Sequence, residues 1–436
     1  IKKAEDYKNR PYPYTKWYPD HMAGKDELER QRKQSFVYEP LISIVIPLYN
    51  TPLQYLKELV DSVQSQTYRN FQLCLADGSD NEKAGAFIKD NYAKDSRICY
   101  KALKKNEGIS ENTNRAIEMA TGEFIMFSDH DDTLAPNALF EIVKEINENP
   151  GTDAVYTDED KVTMDGKRYF DPHFKPDFNL DMLRCNNYIC HIFVVKREIL
   201  EKVGMLRKEY DGAQDYDFIL RCCEQAKNIR HVPKILYHWR NHPASTAGNP
   251  ESKMYAYEAG RAAVQAHYDR LGIQAKVSMT ENWGRYRTEL ALKGTPLISI
   301  LIPNKDHRED LERCIASIYS KSTYKNFEII IIENNSTDEE IFHYYRQLES
   351  QYENLRILEW KKQFNYSGIN NYAAEAAKGD YLLLLNNDIE VITENWLEEM
   401  LSYCQREDVG IVGAKLLYPN DKIQHAGVII GMGPSR

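Results

Sequence analysis

The chain carries one stretch of its own sequence twice, and that repeat limits what it can fold into more than any single motif does. Leu41-Ile-Ser-Ile-Val-Ile-Pro47 returns as Leu297-Ile-Ser-Ile-Leu-Ile-Pro303, an offset of 256 residues (297 − 41). Thr67-Tyr-Arg-Asn-Phe71 returns at the same offset as Thr323-Tyr-Lys-Asn-Phe327. Ala120-Thr-Gly-Glu-Phe124 returns as Ala377-Lys-Gly-Asp-Tyr381, now at 257 (377 − 120), so one residue is inserted in the second copy, near Glu333. Self-similarity of this kind means one structural unit built twice. It also accounts for a length of 436 residues, which exceeds a typical single core.

Within the first copy, Leu41 to Pro47 is a continuous β-branched run, the pattern of a strand buried on both faces of a parallel sheet. Leu53 to Gln66 reads as an amphipathic helix with Leu56, Leu59, Val60 and Val63 on one face. Phe71 to Ala76 is a second strand, Glu82 to Asn91 a helix, Ile98 to Lys101 a short strand and Asn112 to Ala120 a helix. Phe124 to Phe127 is a further strand. Strands alternating with helices predict a right-handed, doubly wound α/β sheet. Ligands of such sheets sit beyond the carboxyl ends of the strands. Tyr49-Asn50, Asp77 and Asp129-His-Asp-Asp132 all fall at such ends.

The acidic stretch is the most chemically loaded of these. Its three carboxylates within four residues repel one another, so a buried site needs a cation or solvent to hold them. Carboxylate oxygens suit hard ions such as Mg²⁺ or Mn²⁺, which bridge protein carboxylates to substrate phosphates. The competing reading is a solvated turn with Asp132 or Thr133 capping the next helix.

Composition excludes some classes. A net charge of −10 argues against a broad nucleic-acid-binding surface, and 42% hydrophobic with 28% charged residues fits a soluble globular chain. No apolar run approaches the length of a membrane span. The eight cysteines show neither metal-ligand spacing nor a dense disulfide framework, so buried free thiols in a reducing cytoplasm are expected. The chain opens on Ile1 rather than Met and is expected to be a fragment or processed form. Between the copies, Ala154 to Tyr156 and His191 to Val195 read as strands, as does Tyr286 to Ala291. Tyr216 to Gln225 and Met254 to Arg270 read as helices. Asp26 to Gln34 forms a helix in an N-terminal segment without a core of its own, expected to pack on the first α/β copy.

The first copy resembles the family 2 glycosyltransferases, whose domains share the Rossmann-like GT-A nucleotide-sugar fold. The resemblance is carried by Ile46-Pro-Leu-Tyr-Asn50, Ala76-Asp-Gly-Ser79, Ser128-Asp-His-Asp-Asp132 and Gly212-Ala-Gln-Asp-Tyr-Asp217. Leu220-Arg221 and Tyr237-His-Trp-Arg240 come next in the family's order. The pattern spans 41 to about 250, and half of it recurs in 297–436. The tandem layout, with Asp158-Glu-Asp-Lys161 and Phe174-Lys-Pro-Asp177, looks like bacterial enzymes that build rhamnose-containing or related surface polysaccharides. It implies residues 1–40 as an N-terminal extension, 41–250 as a GT-A domain, 251–296 as a helical extension and linker, and 297–436 as a second, C-terminally truncated GT-A domain.

The resemblance implies an inverting, metal-dependent transfer from a nucleotide-diphosphate sugar to a hydroxyl of a growing glycan or lipid-linked glycan. Such an enzyme works in the cytoplasm or peripherally at the inner face of the cell membrane, with no nucleic-acid partner. Asp129 and Asp131 occupy the family's metal position and would hold Mn²⁺ or Mg²⁺, with His242 or His238 as a candidate further ligand. Asp77 would accept a bond from the nucleotide base, flanked by Pro47 and Tyr49, with Asn106 and Asn114 near the ribose and diphosphate. The alternatives are a turn for Asp77 and helix capping for the asparagines. Asp215 is the implied general base, since an inverting transfer needs one carboxylate to take the acceptor proton. Asp217 faces another way and is expected to pair with Arg221. Arg240 would neutralise phosphate charge, and Asn187, Tyr188 and His191 would line the acceptor side.

The second copy departs from this set. Asn386-Asn387-Asp388 stands where Asp129-His130-Asp131 stand, and Glu333-Asn-Asn-Ser336 replaces the nucleotide-contacting turn. Amide oxygens bring no charge to a cation, so metal affinity should fall. The contrasting reading of the whole chain is a carbohydrate-binding or assembly scaffold made of degenerate transferase domains.

Overall fold

The computed structural model describes residues 14–241 and 254–427. The chain divides into two compact units, Ile1–Thr288 and Glu289–Arg436. In unit 1 two short helices, α1 (Tyr14–His21) and α2 (Lys25–Lys33), precede the sheet. Helix α2 has acidic residues in its first turn and basic ones in its last, which complements its dipole. Both helices pack on the sheet domain as expected. Buried Gln31 accepts from Thr67 at 3.0 Å, and Tyr18 meets His238 at 3.0 Å.

The sheet follows the predicted alternation: β1 (Ile42–Leu48), α3 (Leu53–Gln64), β2 (Phe71–Asp77), α4 (Lys83–Tyr92), β3 (Ile98–Ala102), α5 (Ile109–Met119) and β4 (Phe124–Phe127). Every residue of β1 is buried, and α3 buries Leu56, Leu59, Val60 and Val63 against it. The strands run parallel in the order β3-β2-β1-β4. The chain continues through β5 (Thr133–Leu134), α6 (Ala138–Glu148), β6 (Ala154–Val162), β7 (Tyr169–His173), α7 (Leu180–Cys185) and β8 (Phe193–Lys196). It then forms α8 (Arg197–Val203), α9 (Gln214–Gln225) and β9 (Ile229–Arg240). Here a purely parallel reading fails. Strand β8 lies antiparallel between β4 and β6, and β6 pairs parallel with β9, so the sheet is mixed. A nucleotide-sugar-binding α/β fold of the GT-A class results. Unit 1 ends with α10 (Met254–Arg270), β10 (Ala275–Met279) and the start of β11 (Tyr286–Leu290).

Unit 2 repeats the first half of this plan. Its strands β12 (Ile298–Asn304), β13 (Phe327–Glu333), β14 (Leu355–Glu359) and β15 (Tyr381–Leu384) run parallel in the order β14-β13-β12-β15. Registers repeat as well: Ile42 faces Phe71 and Phe124, and Ile298 faces Phe327 and Tyr381. One repeated glycine has a steric cause. A Cβ on Gly122 would lie 2.5 Å from the Leu41 carbonyl oxygen, and one on Gly379 would lie 2.7 Å from that of Leu297. In each unit the glycine amide donates to the serine hydroxyl of the first strand, Ser43 at 2.8 Å and Ser299 at 2.9 Å.

Candidate active site

The carboxyl ends of β1, β2 and β4 converge in unit 1. Asp77 closes β2 and is almost fully buried. Its Oδ1 accepts from the Ser79 amide at 2.9 Å, and its Oδ2 accepts from the Tyr100 hydroxyl at 2.7 Å. Ser79 in turn accepts from the Asn50 amide at 2.7 Å, which ties the ends of β1 and β2 together. The predicted Asx turn is therefore present, and ionised Asp77 keeps lone pairs for a further donor. Pro47 is buried in β1, whereas Tyr49 just beyond it is 44% exposed. Asn106 is exposed and accepts from the Gly108 amide at 3.0 Å and from Asn112 at 2.9 Å.

The three carboxylates after β4 do different work, which the sequence could not separate. Asp132 is fully buried and accepts from the Tyr237 hydroxyl at 2.5 Å and the Arg240 amide at 2.7 Å. Burial, reinforced by Asp131 and Asp129, pushes its carboxyl well above the ordinary range. Asp132 is thus a brace between the turn and β9. Asp129 and Asp131 are half-buried and face the cleft side of that brace. Burial also raises Asp131; the neighbouring His130 offsets this and Asp129 adds to it. For Asp129 burial works upward too, but His191 beside it prevails and holds the carboxylate below its usual range.

His191 Nε2 lies 3.4 Å from Asp129 Oδ2, and the imidazole stacks on Tyr237 with centroids 4.9 Å apart. Burial alone would discharge it. Asp129 outweighs that, with Glu159 and Asp132 behind, and the pKa rises to about 9. The other ring nitrogen, Nδ1, is buried without a hydrogen-bond partner. The backbone here is fixed by a pair that sequence reading missed. Buried Lys175 donates to Glu159 at 3.1 Å and to the carbonyls of Ile189 and His191 at 2.6 Å each. The signal was available in the acidic run 158–160, but its partner Lys175 lies at the far end of a hairpin.

Asp215 lies in the first turn of α9, where the exposed N–H groups and the dipole favour a carboxylate. Its Oδ2 accepts from Asn187 Nδ2 at 2.9 Å. Burial raises its pKa above the ordinary range, with His191 partly offsetting. Asn187, His191, Asp129 and Asp215 therefore form one electrostatically connected set. Asp217, two residues on, is buried against Arg221 at 2.8 Å, as its helical position predicts.

Three expected site residues are placed differently. Arg240 is buried and does not open toward a diphosphate. Its guanidinium donates to the Asp131 carbonyl at 2.6 Å, the Met164 carbonyl at 3.0 Å and Glu58 at 2.5 Å, and it covers the Tyr55 ring. It positions the acidic turn instead. Tyr188 is fully buried, with its hydroxyl accepting from the Asn179 amide at 2.9 Å, so it is a core residue. Asn114 is buried and clamps both backbone polar groups of Leu206, at 2.9 and 3.0 Å. His242 lies outside the described residues.

Among the described residues no group of three or more His, Cys, Asp or Glu side chains is gathered to hold a metal. Asp129 and Asp131 nevertheless fit a hard divalent ion, which needs only one or two protein carboxylates when phosphates and waters complete its shell. No described helix is long and apolar enough to cross a membrane, and all eight cysteines are free thiols.

Residues 43–204 and 299–430 match the sequence profile described as Glycosyl transferase family 2. A protein of Sinorhizobium fredii designated y4gI is 42% identical over 417 residues, which cover 94% of this chain and 45% of that one. The O-antigen biosynthesis protein RfbC of Myxococcus xanthus is 37% identical over 422 residues, covering 95% of this chain and 33% of that one. The chain thus spans less than half the length of either relative. Among solved structures, S. aureus TarS 1-349 in complex with UDP aligns with a TM-score of 0.41 at 20% identity, covering 52% of this chain and 64% of that one.

Proposed function

Because the chain belongs to glycosyl transferase family 2, we propose that unit 1 carries an inverting, metal-dependent transfer of a sugar from a nucleoside-diphosphate donor to a hydroxyl of a growing surface polysaccharide. The observation that carries this reading is the convergence of Asp129, His191, Asn187 and Asp215 at the carboxyl edge of the sheet, with Asp131 beside them. In this reading Asp77 and exposed Tyr49 receive the nucleoside, and Asp129 and Asp131 hold Mn²⁺ or Mg²⁺. The ion would supply Lewis-acid stabilisation of the diphosphate leaving group.

The chain's own residues do the rest. Asn187 fixes the Asp215 carboxylate, which accepts the acceptor hydroxyl's proton as that oxygen attacks the anomeric carbon. The raised Asp215 pKa brings the base nearer to working pH, which strengthens it as a proton acceptor. His191, cationic beside Asp129, keeps the carboxylate ionised and oriented. For unit 2, a neutral, internally hydrogen-bonded counterpart of the metal corner favours a binding or assembly role.

The test is Asp215→Asn. Transfer should be lost while donor binding, read by calorimetry, stays near wild type. Normal turnover by this variant would overturn the assignment of the base.

A further inference from the structure

The strongest feature that catalysis leaves unexplained is a set of exposed aromatic rings on α10 and the β10–β11 hairpin. Tyr255 is 59% exposed and Trp283 49% exposed, and Trp283 stacks on Tyr257 with centroids 5.5 Å apart and planes at 24°. Large rings left in water in one place mark an interaction site rather than a core. Their position indicates its partner. Gly212, three residues before Asp215, has φ of +95°, and a Cβ there would lie 2.7 Å from Tyr255 Cε2 and 2.9 Å from Ala256 Cβ. The absent side chain lets α10 press directly on the loop that delivers the base.

A second contact fixes the hairpin to the same place. Tyr286 donates to the Tyr257 carbonyl at 3.1 Å and stacks on Tyr216, the residue after Asp215. Ala213 and Tyr216, on either side of Gln214 and Asp215, are buried, so this stretch cannot shift independently of the hairpin. The aromatic surface and the base therefore form one continuous ledge. The rings lie at 255–286, outside the segments 43–204 and 299–430 that match the family profile. They are this chain's own elaboration.

We propose that Tyr255, Tyr257 and Trp283 form a subsite for the glycan acceptor, holding a sugar beyond the one whose hydroxyl faces Asp215. This rests on the transferase reading of unit 1. A pyranose presents an apolar C–H face and polar edges. The electron-rich face of a Tyr or Trp ring attracts the C–H face, and polar neighbours take the hydroxyls. Glu281, Asn282 and Arg285 are exposed around Trp283 and supply such neighbours. A rigid stacked pair binds with little loss of side-chain entropy, which suits a site that must release and recapture a lengthening chain.

The experiment compares a monosaccharide glycoside with a size-fractionated oligosaccharide of the host's surface polysaccharide as acceptors. Donor hydrolysis without acceptor is measured in parallel. Trp283→Ala and Tyr255→Ala should lower kcat/KM for the oligosaccharide about three- to tenfold per ring. Transfer to the monosaccharide and donor hydrolysis should stay at wild-type rates. Trp283→Phe should restore most of the loss, and Phe174→Ala, which removes a ring 54% exposed elsewhere in unit 1, should change nothing. An oligosaccharide advantage that survives both alanine variants overturns the subsite. So does a loss that instead tracks concentration-dependent self-association of the protein. Absence of donor hydrolysis in the wild-type chain overturns the transferase reading itself and is read separately.

Discussion

The two units share a strand order and a register, yet their strand ends are built on opposite electrostatic plans. In unit 1 three carboxylates crowd one turn, and only Asp132 is neutralised by internal bonds, to Tyr237 and the Arg240 amide. Asp129 and Asp131 stay half-buried at the cleft, one leaning on His191 and the other pushed up by burial. In unit 2 the same place is knitted shut by neutral groups. Asn387 donates to Asn304 at 2.6 Å, Asn304 to the Tyr345 hydroxyl at 2.8 Å, and Tyr345 to Glu333 at 2.7 Å. Leu48 in unit 1 occupies the position of Asn304, so this relay cannot form there. The difference shows that the α/β frame fixes where a site can be, and a few strand-end residues fix whether it calls for a cation.

The comparison can be broken hardest at the base. Asp215→Asn should cut transfer by about 10²- to 10⁴-fold, the usual worth of a positioned acid or base. The pH profile adds a check. The base acts ionised, so kcat/KM should rise with pH through the pKa of Asp215, and burial places that limb above the ordinary carboxylate range. The limb should vanish in Asp215→Asn, whose residual rate should be flat over the same interval.

A smaller effect tests the scaffold that holds α9. Glu224 pairs with His267 at 2.7 Å and with Arg270 at 2.6 Å, both on α10. Burial raises the Glu224 pKa, but His267 and Arg270 prevail and hold it below the ordinary range. Its stabilisation is therefore fully present above the unfolded carboxylate pKa and lost as pH falls through the depressed folded value. Glu224→Gln should destabilise unit 1 by about 3 kcal/mol, read by denaturant unfolding, since it leaves buried cations unpaired. The gap between variant and wild type should narrow at acid pH. Smallest is Asn387→Ala, which should cost unit 2 about 1 kcal/mol for a lost hydrogen bond and leave donor turnover unchanged.

Much of this arrangement was legible in the chain. β1 and α3 could be read because burial on two faces and on one face leave different periodicities, and Asp217 could be paired with Arg221 from helical spacing alone. What failed had long-range causes. Phe193–Lys196 is a short apolar run that carries no sign of its direction, so the antiparallel insertion of β8 was invisible. Arg240 reads as a free cation until its partner Glu58, 182 residues away, is placed beside it. Asp129, Asp131 and Asp132 are chemically identical in sequence; only the Tyr237 hydroxyl and the Arg240 amide single out the third as structural.

The most direct test of the claim that the charged corner of unit 1 turns over the donor is a paired substitution read by one assay. Asp131→Asn and Asp388→Asn remove corresponding carboxylates from the two units, and donor hydrolysis is followed with Mn²⁺ and no acceptor. The expected result is a loss on the order of 100-fold for Asp131→Asn, the scale of one lost electrostatic contributor to the leaving group, and a wild-type rate for Asp388→Asn. Equal losses in both, or a loss confined to Asp388→Asn, would contradict it.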